Sequence, residues 1–386
     1  MVDEKLASNL LRRLVAIDSV NPSLVAGARG ESAAAEFLRE WLGEQGIAAE
    51  LQFAAPGRPN VVAKICGANN SAAGVRPALL IVAHIDTVGA GDMPDPFQPI
   101  ERDGRLYGRG ALDIKSGVAA MCAAAASIVQ SGAALQRPFV IAAVVDEECN
   151  SIGTETLLKH CTADAAVVLE PTDLKLVIAH KGYAWFEVVT QGRAAHGSLP
   201  GEGRDAIRMM GRVLHKLDEM DRAWQGKPPH HLLGVASLHA SLIAGGQELS
   251  SYPAECRLQI ECRMLPGASV AAVETELRGV LDNLHARDAS FRATLRAMSS
   301  RSPYSIQPSA PIARAAATSI LHVTASAELA GMSAWTDTAL LDEAGIPGVV
   351  FGPRGRGLHG AEEYVELGSV AACADVLCHL ILSMCS

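Results

Sequence analysis

Five short clusters of histidine and carboxylate residues carry the chemistry that this sequence offers. They are His84-Ile85-Asp86, Asp113 within Tyr107-Gly108-Arg109-Gly110-Ala111-Leu112-Asp113-Ile114-Lys115-Ser116-Gly117, Asp146-Glu147-Glu148, Glu170 before Pro171, and His359 at the end of Gly352-Pro353-Arg354-Gly355-Arg356-Gly357-Leu358-His359. An imidazole can ligate a metal, and a nearby carboxylate can fix its tautomer by accepting the other ring N–H. Three adjacent carboxylates repel one another, and a bound cation relieves that repulsion. One of them can ligate while the next stays free as a base. Taken singly, each cluster also has a plain structural reading: a packed histidine, a solvated acidic turn, an acid that merely follows a strand. Taken together, His84, Asp113, Glu148, Glu170 and His359 supply two imidazoles and three carboxylates. That set suits a pair of borderline metals such as zinc. A bridging carboxylate would hold the two ions roughly 3.5–4 Å apart, as in two-metal hydrolases.

The elements that must position these groups can be read from hydrophobic patterning. Residues 79–85, 139–145 and 165–169 are apolar without alternation, as strands buried on both faces should be, and 348–351 repeats the pattern. Each ends in or just before one of the clusters, and in an open α/β sheet ligands bind at the carboxyl ends of strands. Helices are predicted at 4–16, 31–45, 116–131, 309–321 and 367–383, and shorter strands at 48–53 and 60–65. The order implies a mostly parallel, doubly wound sheet. Near His180 the character changes. Residues 182–191 and 254–264 alternate apolar and polar, as antiparallel strands with one wet face do, and helices are predicted at about 203–220 and 269–285. The expected organisation is therefore a catalytic α/β domain, residues 1–180 and 295–386, interrupted by a smaller α+β domain, residues 181–294.

Two motifs are decoys. Gly108-x-Gly110-x-x-Asp113 has an aspartate where a dinucleotide fingerprint needs its third glycine. Gly110-x-x-x-x-Lys115-Ser116 has Ile114 where a phosphate loop needs glycine. His230-His231 lie in a Pro-flanked loop away from any strand end, and His160 and His239 read as surface or packing residues.

Composition narrows the function classes. The 386 residues suit two or three domains, and 49% are hydrophobic but only 4% aromatic, so the core is built of small aliphatic side chains. The net charge of −9, with no basic block, argues against nucleic acid or an acidic membrane as partner. The longest apolar run, 118–129, is too short to cross a bilayer. No basic segment followed by an apolar run opens the chain, so no signal peptide is expected. Nine irregularly spaced cysteines without a CxxC read as reduced thiols in a cytoplasmic protein, which makes the sequon Asn69-Asn70-Ser71 incidental.

With these clusters in view, the chain resembles the M20 family of metallopeptidases, the group of acetylornithine deacetylase, succinyl-diaminopimelate desuccinylase, aminoacylase-1 and carboxypeptidase G2. The resemblance runs from Ser19-Val20-Asn21-Pro22 through the clusters above, Gly192-Arg193-Ala194-Ala195-His196-Gly197 and Gly245-Gly246, to His359 and Glu363. It implies that His84, Asp113 and Glu170 hold one zinc, and Asp113, Glu148 and His359 the other, with cobalt or manganese as alternatives. It implies that Asp86 orients His84 and that Glu147 is the general base toward a metal-bridging water. His196, in the inserted domain, would reach the active site of the second subunit of a homodimer and stabilise the oxyanion. The resemblance also implies that the Asp113–Ile114 peptide is cis. Arg263 falls where relatives bind the substrate carboxylate, although an exposed strand arginine is an equal alternative.

The sequence departs from the family pattern in two places. Ser250 stands where relatives usually carry a substrate-binding asparagine. The segment Met332-Ser333-Ala334-Trp335-Thr336-Asp337-Thr338 keeps Thr-Asp but lacks the glycines of desuccinylases, which discounts succinyl-diaminopimelate as substrate. Trp335 would wall the pocket or pack the core. The resemblance points to an acetylornithine-deacetylase-like amidohydrolase acting on a small N-acyl amino acid. A dipeptidase or glutamate-type carboxypeptidase is the alternative, and a non-catalytic metal-binding scaffold a remote one.

Overall fold

The computed structural model describes residues 3–66 and 75–386; the sequon at 69–71 and the first two residues lie outside the described residues. The chain divides into two compact units, Met1–Ile178 with Ile306–Ala330 and Thr336–Ser386, and Ala179–Ser305 with Gly331–Trp335.

The first unit is an α/β structure. Its sheet runs in the order Glu50–Ala55, Arg58–Ile65, Phe139–Val144, Leu79–His84, Ala165–Leu169, Gly348–Phe351, Leu176–His180, the last of these strands continuing past the unit's boundary at Ile178. The four strands at its centre are parallel and the flanking ones antiparallel. Every residue of Leu79–His84, Phe139–Val144 and Ala165–Leu169 is buried, which is why these segments lack alternation. The helix Lys115–Gln130 packs on the central strands. Its alanines combine high helix propensity with small volume. Gly117 sets the closeness of approach, because a Cβ there would lie 3.0 Å from Leu169 Cβ. The helix is thereby pinned against the sheet directly after Asp113.

The C-terminal helix Leu367–Cys385 is long and apolar enough, by length and composition, to cross a membrane, although Asp375 and His379 interrupt its apolar run. Here it lies in the core, packed on Lys115–Gln130 and Pro311–Val323 with Val370, Cys373, Leu377, Leu380 and Ile381 buried. A small antiparallel sheet of very short strands, Gly355–Arg356, Tyr364–Glu366, Arg105–Tyr107 and Ile100–Arg102, was not anticipated.

The second unit is α+β. Its antiparallel sheet has the order Ser237–Gly245, Glu255–Met264, Gly182–Gln191, Ala293–Arg301. Alternate residues of Glu255–Met264 are buried. Leu258, Ile260, Phe186 and Val188 meet Met210, Val213 and Leu277 from the helices Ala206–Gln225 and Val270–Arg287. Both helices begin at a side-chain cap, Asp205 accepting from Arg208 N and Ser269 from Ala272 N. The first of them starts later and ends later than the sequence predicted. The two outer strands escaped prediction because they are exposed along most of their length and so lack a strong apolar alternation.

Candidate metal centre

Four parallel strands end at one edge of the first unit, and each delivers a polar group there. His84 is the last residue of its strand and 2% exposed. Asp146 to Glu148 follow Phe139–Val144, Glu170 follows Ala165–Leu169, and His359 lies on the loop after Gly348–Phe351. Asp113 sits at the end of the glycine loop, just before the helix Lys115–Gln130, and its peptide bond to Ile114 is cis. Gly108 and Gly110 adopt φ of +147° and +79°. A Cβ would come within 2.5 Å of Val15 at the first and 2.7 Å of Thr87 at the second, so the loop can pass only as glycine.

Asp113 stands between the two histidines. Its Oδ1 is 3.3 Å from His84 Nε2 and its Oδ2 is 3.3 Å from His359 Nε2. Glu148 Oε1 also lies 3.3 Å from His359 Nε2. Glu147 Oε2 and Glu170 Oε1 are each 3.9 Å from His84 Nε2. Two groups of potential ligand atoms result, His84 with Asp113 and Glu148, and His84 with Glu147 and Glu170, each within 4.8 Å of one another. His84 is closed off, whereas the His359 side chain is 52% exposed, so the cluster opens to solvent on the His359 side.

The electrostatics are those of a cation site. Burial pushes the carboxyls of Glu147 and Glu170 well above the usual range, and neighbouring acids add to the shift. Burial raises Glu148 as well, against the pull of His359. Burial also opposes ionisation of Asp113, but the rings of His359 and His84 outweigh it and hold its carboxyl far below the usual range. His359 is carried up to about 10 by Asp113 and Glu148. Glu148 Oε1 is buried and, apart from its ion pair with His359, meets no hydrogen-bond donor among the described residues. Four carboxylates, Glu170 buried and Asp113, Glu147 and Glu148 partly so, face two imidazoles and make a donor set of hard oxygen and borderline nitrogen that fits one or two divalent ions.

Asp86 meets the His84 ring through both its backbone carbonyl and its carboxylate. His84 Nδ1 bonds the backbone carbonyl of Asp86 at 3.0 Å, with the Asp86 carboxylate at 3.5 Å. The same carboxylate also accepts the backbone N–H groups of Glu147 and Glu148, each at 3.2 Å, and Asn21 Nδ2 at 2.8 Å. Asp146, part of the acidic trio, faces away from the cluster. It has φ +66°, is fully buried, and pairs with Arg58 and Asn21. Two further residues had no predicted role. Asp337 is buried beside Thr154 and pushed to about 6, chiefly by that burial, and Glu363 grips the glycine loop. Their only sequence signal was membership of the matching motifs.

The other predicted residues stand on the second unit. His196 is exposed and its Nδ1 meets Ser198 Oγ at 2.7 Å. The next residue, Gly197, donates to the backbone oxygen of Ser250 at 2.7 Å, and His196 itself pairs with Ser251. Arg263 pairs with Glu261 at 2.9 Å and lies over the Tyr183 ring. Trp335 packs against His180 and Tyr183 and donates to Ser302 O.

A sheet with histidines and carboxylates converging at its strand ends defines a metal-dependent hydrolase, and comparison with known proteins specifies which kind. Residues 80–383 match the model of Peptidase family M20/M25/M40, and the chain belongs to that family. It is 29% identical to an acetylornithine deacetylase of Myxococcus xanthus, over 97% of this chain and 96% of that protein. It is 26% identical to an N-formyl-4-amino-5-aminomethyl-2-methylpyrimidine deformylase of Bacillus subtilis, over 93% and 91%. Among solved structures, a tripeptidase from Staphylococcus aureus superposes with a TM-score of 0.82 at 21% identity, covering 100% of this chain and 99% of that one. A dinuclear metal binding peptidase from the M20 family of Bacillus subtilis superposes with a TM-score of 0.74 at 18% identity, covering 98% of each. The protein is a metal-dependent hydrolase of amide bonds.

Proposed function

We propose that the protein removes the acyl group from a small N-acyl amino acid, using two divalent ions, most simply zinc. The observation that carries this reading is the position of Asp113, with one oxygen 3.3 Å from His84 and the other 3.3 Å from His359. A carboxylate so placed is shared between two centres. His84, Asp113 and Glu170 would hold one ion, and Asp113, Glu148 and His359 the other. When bound, the ions would polarise the scissile carbonyl and bring the ionisation of water toward neutral pH.

Glu147 is the base in this reading. It lies beside His84 and Glu170, and its backbone is held by Asp86, so its carboxylate can take a proton from the attacking water and return it to the leaving amine. Its raised affinity for a proton suits that exchange. The half-exposed His359 marks the side on which substrate enters. His196 would stabilise the oxyanion, and Arg263 and Ser250 would bind the amino-acid part; Arg263 carries the planar fork that pairs with a carboxylate.

Similarity to a deacetylase along nearly the whole chain supports an N-acyl amino acid over a peptide. The free thiols support a reducing, cytoplasmic setting. The exposed outer strand Ser237–Gly245, with Leu242 and Ile243 facing solvent, supports a homodimer formed through the second unit. The test is a panel of N-acetyl, N-formyl and N-succinyl amino acids beside dipeptides, with metal-loaded protein and release of free amine as the readout. Turnover of an N-acyl amino acid is expected. Hydrolysis of dipeptides alone would replace this reading with a dipeptidase or carboxypeptidase.

A further inference from the structure

Beneath the acidic turn lies a buried polar network that the proposed reaction does not use directly. Arg58 begins the strand Arg58–Ile65 and is 9% exposed. Its Nε and Nη2 fork onto the two oxygens of Glu31, which is fully buried. Its Nη1 donates to Ser23 Oγ at 2.7 Å and lies 2.9 Å from Asp146 Oδ1. Its Nη2 also donates to Asn21 Oδ1 at 3.0 Å.

That last contact decides which way the Asn21 amide points. Arg58 and the backbone N–H of Ser23 both occupy Asn21 Oδ1. The Asn21 NH2 group therefore faces Asp86 Oδ2 at 2.8 Å and Asp146 Oδ1 at 3.0 Å. Turned over, the amide would set its oxygen against two carboxylates. With Asn21 so fixed, Asp86 holds one rotamer and accepts the N–H groups of both Glu147 and Glu148. Glu31, Asn21, Asp86 and Asp146 are all fully buried, so water cannot replace a missing member.

We propose that Arg58 is a positioning residue that acts through Asn21 and Asp86 to set the backbone of Glu147 and Glu148. This rests on the reading of Glu147 as base and Glu148 as metal ligand. Arginine is required because one planar group must reach Glu31, Asn21 and Asp146 at fixed angles, which the single ammonium of lysine cannot do. Partners that orient metal ligands through hydrogen bonds commonly matter about 10–100-fold in activity or metal affinity.

The experiment compares Arg58→Lys, Asn21→Asp and Glu147→Gln with wild type, on the N-acyl amino acid that the panel shows to be turned over fastest. Metal-free protein is also titrated with Co2+, following visible absorption. Arg58→Lys and the isosteric Asn21→Asp are expected to lose about 10–100-fold in kcat, with KM changed less than about threefold. Both should show a shifted cobalt spectrum and weaker binding of one Co2+ equivalent. If either folded variant keeps wild-type kcat and the wild-type cobalt spectrum while losing only thermal stability, Arg58 is merely structural and the proposal is overturned. Should Arg58→Lys fail to fold, Asn21→Asp decides. An active Glu147→Gln would overturn the assignment of the base. An inactive Glu147→Gln beside unchanged Arg58→Lys and Asn21→Asp would overturn only the positioning network.

Discussion

Glu363 accepts the backbone N–H of Asp113 at 3.1 Å, across 250 residues of sequence. The same oxygen accepts Leu112 N at 2.8 Å, and the other accepts Gly110 N at 3.1 Å and Arg109 Nη1 at 2.7 Å. One carboxylate thus closes the loop that presents Asp113, from the same segment that carries His359. Glutamine can offer only one acceptor oxygen here, and its NH2 would face N–H donors. Arg109, 2% exposed, would lose its ionic partner. Glu363→Gln is therefore expected to lower stability by about 3–5 kcal/mol, the usual consequence of breaking a buried ion pair. Denaturant titration of the metal-free protein measures it, and a loss under about 1 kcal/mol would show that the loop is held by other contacts.

Glu147 and Glu148 are adjacent in sequence, yet only Glu148 lies within 3.3 Å of His359. Their substitutions should separate. Glu147→Gln is expected to lower kcat by about 10²–10⁴-fold, the range for loss of a general base, while metal content stays at the wild-type level. Glu148→Gln should lose metal first, with activity following metal occupancy. Metal analysis beside steady-state kinetics distinguishes the two, and equal metal loss in both would remove the distinction between base and ligand.

The strand ends were legible because burial on both faces writes itself as an uninterrupted apolar run. Leu79–His84, Phe139–Val144 and Ala165–Leu169 show it, with boundaries within a residue of expectation. The direction of each carboxylate was not legible. Asp146 reads in the sequence like Glu147 and Glu148, but its left-handed backbone turns it inward to Arg58. That distinction depends on Asn21 in a loop, Glu31 at a helix N-cap and Arg58 at a strand start, which have no periodic signal. The Asp86 carboxylate serves two backbone N–H groups more closely than the His84 ring, which no spacing in the sequence shows. The outer strands of the second unit were missed because an exposed strand lacks the apolar alternation that marks a buried face.

The crowding of Asp113, Glu147, Glu148 and Glu170 implies that metal stabilises the fold as well as the reaction. An ion bound only by the folded state adds about 2.7 kcal/mol at a free concentration one hundred times its dissociation constant. Chelation is therefore expected to lower Tm, and Tm should rise steadily with added Zn2+ or Co2+. Asp113→Asn removes the charge shared by both histidines and should abolish most of that dependence. Calorimetric scans across a metal series test this, and a Tm unaffected by chelator and metal would contradict the cluster as a cation site.

His180 supplies a pH dependence separate from the metal centre. It is fully buried, packs against Tyr304 with ring centroids 5.7 Å apart, and bonds the Lys181 carbonyl through Nδ1 at 3.0 Å. Its Nε2 is buried without a hydrogen-bond partner among the described residues. Burial pulls its ionisation from 6.5 down to about 4. Between those values the unfolded chain binds a proton that the folded chain excludes, so stability falls as pH falls from about 6.5 to about 4 and recovers as pH rises. The difference amounts to about 3 kcal/mol at pH 4. His180→Phe keeps an aromatic ring at the Tyr304 contact and removes the titrating nitrogen. Its stability, measured by denaturant titration at pH 7 and pH 4 on metal-free protein, is expected to fall less with acid than that of the wild type, by about that amount. Parallel pH curves for the two proteins would mean that His180 is protonated within the fold.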